Sequence, residues 1–351
     1  RAADFRRGRI YRVAPKARRY VLPSLDYSTP EGATVALQNP NPDVQRLARK
    51  ALWEMELHAE PTLESLFRSP TTNPRLRARA LWVMSHMEGV STRILEIALR
   101  DLNPNIRITA LRAILQRNQD PTEYVKWLIS DRDPSVRREC ALALFQNHTY
   151  EAKNSWLHLA KQYTGNDRWY GEALGIGAEG QWEWMFPAWL AQTAHQPLQS
   201  PGGRDLVWRA RTKQAVPYLT TLAAETSVPL KERERYFRAF DFVNEGSAKS
   251  QSLLRVAQAA TGSDQVEVTK LALRHLDPDY VRESPRARKA LEALLDLTYG
   301  PPDYVELVSR YELETEYDRL FGLAAEQSEN PVGRDAAREL LKLAGRAFVQ
   351  E

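Results

Sequence analysis

The stretch Asn103-Pro-Asn-Ile-Arg-Ile-Thr-Ala-Leu-Arg-Ala-Ile-Leu115 decides the fold, because its opening recurs: Asn41-Pro42, Asn73-Pro74, Asn103-Pro104 and Asp133-Pro134 stand 32, 30 and 30 residues apart. Asn or Asp is a favoured N-cap and proline is pre-set for the first helical position, so each dipeptide ends a loop and starts a helix. The apolar residues that follow keep the same offsets. They are Val44, Ala48 and Ala51/Leu52; Leu76, Ala80 and Val83/Met84; Ile106, Ala110 and Ala113/Ile114; Val136, Cys140 and Ala143/Leu144. This is one stripe of an amphipathic helix with a small residue at its centre, where a partner helix can approach closely. The preceding helices read from Ala33/Leu37, Leu63/Phe67, Ile94/Ala98 and Val125/Ile129, giving four helical hairpins. A period of this length predicts stacked units, none of which can bury its apolar face alone.

Composition narrows the class of protein. Of 351 residues 43% are hydrophobic and 27% charged, and no run of apolar residues reaches the ~20 that a membrane-spanning helix needs. The net charge is +4, but residues 1–19 alone carry +7, so residues 20–351 sum to −3. A body without basic excess argues against broad contact with nucleic-acid phosphates. The single cysteine excludes an internal disulfide and any CxxC or CxxCH site. Cys140 occupies the slot of Ala48, Ala80 and Ala110, which makes it a core residue.

At the start of the chain, Gly8-Arg-Ile-Tyr-Arg-Val13 alternates like a short strand, and Pro15 and Pro23 keep the following residues extended. Beyond residue 149 the period weakens. Gln196–Arg204, with Pro197, Pro201 and Gly202-Gly203, reads as a loop, and Asp277–Pro285 as a second break. Helices are expected at about 206–225, 229–243, 247–260, 264–276, 286–298, 302–312, 316–327 and 331–349.

The pattern Asp-x-x-Pro-x-Val-Arg-x-x-Ala resembles the HEAT-repeat family. Arg77, Arg107 and Arg137 match its arginine, Asp101 and Asp131 match its aspartate, and Gln45 departs from it. The resemblance implies a structural ladder in which Asp and Arg of neighbouring repeats pair. A narrower resemblance runs along most of the chain: Gly8-Arg-Ile-Tyr-Arg-Val-Ala-Pro-Lys16; Ser28-Thr-Pro-Glu-Gly-Ala33 with Ala36-Leu-Gln-Asn-Pro-Asn41; Asp167-Arg-Trp-Tyr170 with Glu172-Ala-Leu-Gly-Ile-Gly177; and Arg235-Tyr-Phe-Arg-Ala-Phe-Asp-Phe242. These strings are similar to the middle of PVC-type membrane-bound dehydrogenases, multidomain bacterial proteins with a sugar-dehydrogenase-like β-propeller, a HEAT-like region and often a c-type cytochrome. The resemblance implies that residues 8–13 close a propeller blade, that the partners are the neighbouring propeller and cytochrome c domains, and that the location is periplasmic or otherwise extracytoplasmic. No catalytic residue or CxxCH motif of that family is carried over.

Three groups could bear chemistry. Gly175-Ile-Gly177-Ala-Glu-Gly180 satisfies GxGxxG, but a helix-like run precedes it where a dinucleotide fold needs a strand, so the glycines read as allowing close helix packing and a turn into the next helix. The densest aromatic region follows Tyr163: Trp169, Tyr170, Trp182, Trp184, Phe186 and Trp189, then Trp208. With Arg168, Arg209 and Arg211 beside it, this region is either a bulky core or a surface for a peptide or sugar, and Trp184, off the face shared by Trp182 and Trp189, is its best exposed contact. In the third group Tyr236 and Phe240 read as core, Arg235 and Arg238 as the rim of a concave face, and Arg238 with Asp241 as a local ion pair. The six histidines form no ligand pair at metal spacing, and no carboxylate pair stands out.

The sequence thus predicts an all-α, HEAT-like solenoid with an extended leader over 1–27 and helical repeats over 28–351, regular to 149 and irregular from 150. It predicts a non-catalytic scaffold or interaction module without cofactor or metal, its concave-face contacts drawn from Arg168, Trp169, Trp184, Trp208, Arg209, Arg235, Arg238 and Asp241. The partner is a protein or a glycan. The alternatives are a nucleic-acid binder of the HEAT-type glycosylase kind and a module that closes over the substrate of a sugar-oxidising propeller.

Overall fold

A computed structural model describes residues 24–243, 247–345 and 348. The expected strand at 8–13 and the leader up to residue 23 lie outside the described residues; residues 24–27 are without regular structure. Everything described is helix, turn or loop, a HEAT-like α-solenoid of stacked helical hairpins, divided into a compact unit ending at Gln119 and a second starting at Asp120.

The first unit holds α1 (Pro30–Leu37), α2 (Pro42–Glu54), α3 (Glu60–Arg68), α4 (Pro74–Met84), α5 (Ser91–Ala98) and α6 (Pro104–Gln116). They pair as successive hairpins, with α1 stacked on α3 and α2, α4 and α6 stacked in turn. The repeated dipeptides cap as their chemistry requires. The side-chain oxygens of Asn41, Asn73 and Asn103 each accept the amide two residues on at 2.9 Å, and each proline takes the first helical position. The stripe behind them is core: Ala48, Leu52, Ala80, Val83, Ile106, Ala110 and Ile114 are fully buried.

The second unit begins with the fourth hairpin, α7 (Thr122–Leu128) and α8 (Pro134–Ala143), capped by Asp133 in the same way. On α7 the core residues are Val125 and Leu128, whereas Ile129 is the half-buried C-cap. Then come α9 (Tyr150–Lys161), α10 (Arg168–Gly177), α11 (Trp182–Gln192), α12 (Pro201–Arg209), α13 (Val216–Ala224), α14 (Leu230–Ala239), α15 (Ser247–Ala259) and α16 (Gln265–Arg274). The array continues with α17 (Pro278–Glu283), α18 (Pro285–Thr298), α19 (Pro302–Tyr311), α20 (Tyr317–Glu326) and α21 (Pro331–Leu343). From α8 to α18 the even-numbered helices stack into one continuous layer.

Two expected loops are helical. Gln196–Arg204 contains the first turn of α12, because Ser200 caps Gly203 at 3.1 Å and Pro201 occupies the first helical position. Gly202 and Gly203 are there for contact: a Cβ would stand 2.5 Å from the Tyr163 carbonyl oxygen at the first and 1.9 Å from the Pro197 carbonyl oxygen at the second. Asp277–Pro285 contains α17, whose N-cap Asp277 repeats the Asx-Pro start. The expected helix 206–225 is in turn divided, since the chain leaves α12 at Ala210 and re-enters at Val216.

The ladder residues are well enclosed. Arg77 pairs with Asp101 of the following repeat and donates from Nε to the Phe67 carbonyl at 2.7 Å. Arg107 donates to the Asp101 carbonyl at 2.7 Å, and Arg137 donates to the Asp131 carbonyl at 2.5 Å. The aspartates in turn accept the amides of Asn103 and Asp133. Arg107 is buried, and Arg77 and Asp101 are each 13% exposed, so losing one partner costs more than the ~0–1 kcal/mol of an exposed pair.

Candidate functional site

Two adjoining clefts lie on the layer of α10, α12 and α14. Helical spacing prepares them. Arg168 and Glu172 share one face of α10; Asp205, Trp208 and Arg209 share one face of α12; Lys231, Arg235 and Arg238 fall at i, i+4 and i+7 on α14. Stacking the three helices turns these stripes toward one another. The first cleft, about 910 Å³, runs from Tyr163 and Ser200 to Glu232 and Tyr236. The second, about 780 Å³, runs on past Trp182 and Arg211 to Arg238 and Phe242. Arg168, Glu172, Trp208, Arg209 and Arg235 line both.

Ion pairs between helices set the geometry. Arg209 Nε donates to Glu172 at 3.0 Å, tying α12 to α10, and Arg235 reaches Asp205 at 2.9 Å, tying α14 to α12. The second oxygen of Asp205 accepts the Tyr163 hydroxyl at 2.9 Å; burial, and then this hydrogen bond, push that phenol above its usual pKa. Arg235 also donates to the Tyr236 hydroxyl at 2.8 Å and lies over the rings of Tyr236 and Trp208, 4.8 and 5.5 Å from their centroids. Burial alone would lower the Arg235 guanidinium; the hydrogen bond to Tyr236 and the charge of Asp205 outweigh it and raise it. Arg211 sits 4.1 Å above the Phe242 ring and donates to the Trp208 carbonyl at 3.1 Å. Burial, with Arg209 adding repulsion, brings its guanidinium down to about 10.

Small residues on α10 make this fit possible. A Cβ at Gly175 would stand 2.4 Å from Arg209 Nε, and one at Gly177 would stand 2.3 Å from the Ala141 carbonyl oxygen. The first two glycines of GxGxxG are a helix surface cleared for an arginine and for α8, and Gly180, at φ 74°, makes the turn beyond the helix.

The predicted contacts divide. Arg168, Trp208, Arg209 and Arg235 meet in the clefts, and Arg238 lines the second. Trp169 stands outside, 66% exposed with Arg168 5.7 Å over its ring. Trp184 lines neither cleft and is half-buried beneath the Lys153 ammonium at 4.4 Å, so it is less open than its place off the core face suggests. Asp241 makes no local pair with Arg238; it takes His275 Nδ1 at 2.7 Å and joins the ties between successive repeats. The remaining aromatics of the region, Tyr170, Trp182, Phe186 and Trp189, are core, with Trp182 edge-on to Trp156 at 5.8 Å. Glu172, Asp205, Arg204 and Lys231 escaped the sequence reading. The i, i+4 and i+7 charge stripes were the signal that could have found them.

Among the described residues no group of three or more His, Cys, Asp or Glu side chains could hold a metal ion, and no helix is long and apolar enough to cross a membrane.

No protein-family model matches this chain, and no curated protein matches it. Among solved structures, a chain of the S. pombe condensin Cnd3-Cnd2 subcomplex is similar at 13% identity and a TM-score of 0.31, over 91% of this chain and 55% of that one. The present chain therefore spans little more than half the length of that condensin chain. An engineered protein is similar at 15% identity and a TM-score of 0.30, over 90% of this chain and 88% of its own. The complex of CpcE and CpcF of phycocyanin lyase from Nostoc sp. PCC7120 follows at 16% and 0.16, over 95% and 100%.

Proposed function

We propose that this chain is a non-catalytic helical-repeat interaction module that grips a partner protein in the adjoining clefts of α10, α12 and α14. One observation carries the reading: five side chains from three stacked helices line both clefts, and two cross-helix ion pairs, Arg209 with Glu172 and Arg235 with Asp205, fix three of them, which makes a preformed, extended surface. Of the three carboxylates in the first cleft, Glu172 and Asp205 are engaged in orienting guanidinium groups and Glu232 is exposed. Rigid polar anchors around a half-buried tryptophan are the composition of a protein-binding hot spot.

The strings similar to PVC-type dehydrogenases support a finer reading, in which the module sits in a larger extracytoplasmic bacterial redox protein between a β-propeller and a cytochrome c domain. A propeller before these residues and a CxxCH after them are the expected context; neither being present overturns that step and leaves the interaction module standing.

The interaction itself is tested by photo-crosslinking in the native cell, with a photoreactive phenylalanine analogue at Trp208 and, as control, at exposed Tyr150 on α9. Discrete protein adducts at position 208 alone are expected. Equal labelling at both positions, or none at 208, counts against the reading.

A further inference from the structure

Charge in the second cleft is unbalanced. Six cations, Arg168, Arg209, Arg211, Lys231, Arg235 and Arg238, line it against three carboxylates, Glu172, Glu179 and Glu234. Arg209 and Arg235 are neutralised by Glu172 and Asp205. Arg168, Arg211, Lys231 and Arg238 have no ion pair among the described residues. Arg211 is in addition half-buried, and burial with the neighbouring Arg209 lowers its guanidinium against the attraction of Glu172 and Glu179. An anion at this point relieves both.

The aromatics in the same cleft say what kind of anion. Trp208 and Phe242 each carry a guanidinium on one face, at 5.5 and 4.1 Å, so these faces position cations and are not open for stacking a sugar. Their edges, with the buried Trp182, supply an apolar floor. The carboxylates interleaved among the cations repel a continuous polyphosphate, whereas a peptide can space its acidic groups to avoid them. Five of the six cations are arginines, whose planar fork matches a carboxylate.

We infer that the second cleft binds an acidic peptide segment of a partner protein, its carboxylates meeting Arg168, Arg211, Lys231 and Arg238 and an apolar side chain resting against Trp182, Trp208 and Phe242. This rests on the interaction-module reading and adds the chemistry of the partner.

The test is fluorescence anisotropy with the whole chain and four labelled probes: a short peptide of alternating Asp and Leu, its Asn-Leu counterpart, a short oligothymidylate and a hyaluronate oligosaccharide. Saturable binding of the Asp-Leu peptide is expected, weakening with added salt, with the other three bound at least about tenfold more weakly. The triple variant Arg168→Glu/Lys231→Glu/Arg238→Glu is expected to weaken the Asp-Leu peptide by about tenfold or more. Arg286→Glu/Arg288→Glu/Lys289→Glu, the same charge change on exposed positions of α18, is expected to leave it within about twofold. Circular dichroism of both variants checks that the helices persist. Equal loss in both variants, no loss in either, tighter binding of oligothymidylate or hyaluronate, or no binding of the acidic peptide up to about 1 mM overturns the inference. If the acidic peptide fails while position 208 still crosslinks to a protein, the ligand class falls and the interaction module stands; if both fail, both fall.

Discussion

Gly175 and Gly177 stand two residues apart on α10 and make room for different things. At Gly177 the obstacle to a Cβ is the Ala141 carbonyl oxygen, part of the backbone of α8, which cannot step aside without moving a helix. Gly177→Ala is therefore expected to lose about 1–3 kcal/mol of stability in urea denaturation. At Gly175 the obstacle is the Arg209 side chain, which can swing away from Glu172. Gly175→Ala should cost less stability than Gly177→Ala yet disturb the cleft, weakening acidic-peptide binding. Equal stability losses for the two would mean that α8 and α10 are not in such close contact. Cys140 gives a second check at this scale, since it is fully buried and its thiol is pushed well above the usual range by burial. A thiol reagent is expected to modify it only under unfolding conditions; rapid labelling of the native chain would contradict its place in the α8 stripe.

Among elements, α12 shows why a cap matters more than its own hydrogen bond. Ser200→Ala removes the acceptor for the Gly203 amide and is expected to cost about 0.5–2 kcal/mol, with the cleft affected too because Arg204 and Asp205 sit in the next turn. The tie between α3 and α5 predicts a pH effect. Glu64 accepts hydrogen bonds from Arg93 and Arg68, which bring its carboxyl down to about 2 from an ordinary 4.5. A depressed carboxylate stabilises the fold fully above its unfolded pKa and loses that contribution as pH falls through the folded one. The stability gap between wild type and Glu64→Gln should accordingly be constant near neutrality and close between about pH 4.5 and pH 2 in chemical denaturation; a constant gap throughout would exclude this tie. The same elements show what could be read from sequence. The caps at Asn41, Asn73, Asn103 and Asp133 were legible because Asx-Pro encodes its own geometry, and Asp277-Pro278 carried the identical signal at a place where no period reinforced it. Pro201-Gly-Gly203 reads as a breaker because local chemistry alone cannot reveal that neighbouring carbonyl groups fill the space of the missing side chains. The stripes on α10 and α14 were legible by helical spacing. The cross-helix pairs, Glu172 with Arg209 and Asp205 with Arg235, lie 37 and 30 residues apart and depend on a stacking register that the sequence ceases to repeat. Trp184 and Asp241 were misplaced for the same reason, each finding its partner on a different helix, Lys153 on α9 and His275 just past α16.

At the scale of the molecule, the described hairpins within each unit pack on their neighbours in the stack, so stability is expected to be local. Leu63 on α3 is fully buried, and Leu63→Ala should cost about 2–5 kcal/mol where it packs, through lost burial and the cavity left behind. In a globule with one central core that loss would lower the protection of every slowly exchanging amide alike. In a stacked array it should be confined, with native-state hydrogen exchange accelerating in α1 through α4 while α15 and α16 keep their protection factors. A uniform fall across both regions would mean that the chain unfolds as a single cooperative body. The confined pattern has a functional corollary: the three helices that form the clefts can be altered in composition without unravelling the rest, so Leu63→Ala should leave acidic-peptide affinity unchanged while Ser200→Ala reduces it.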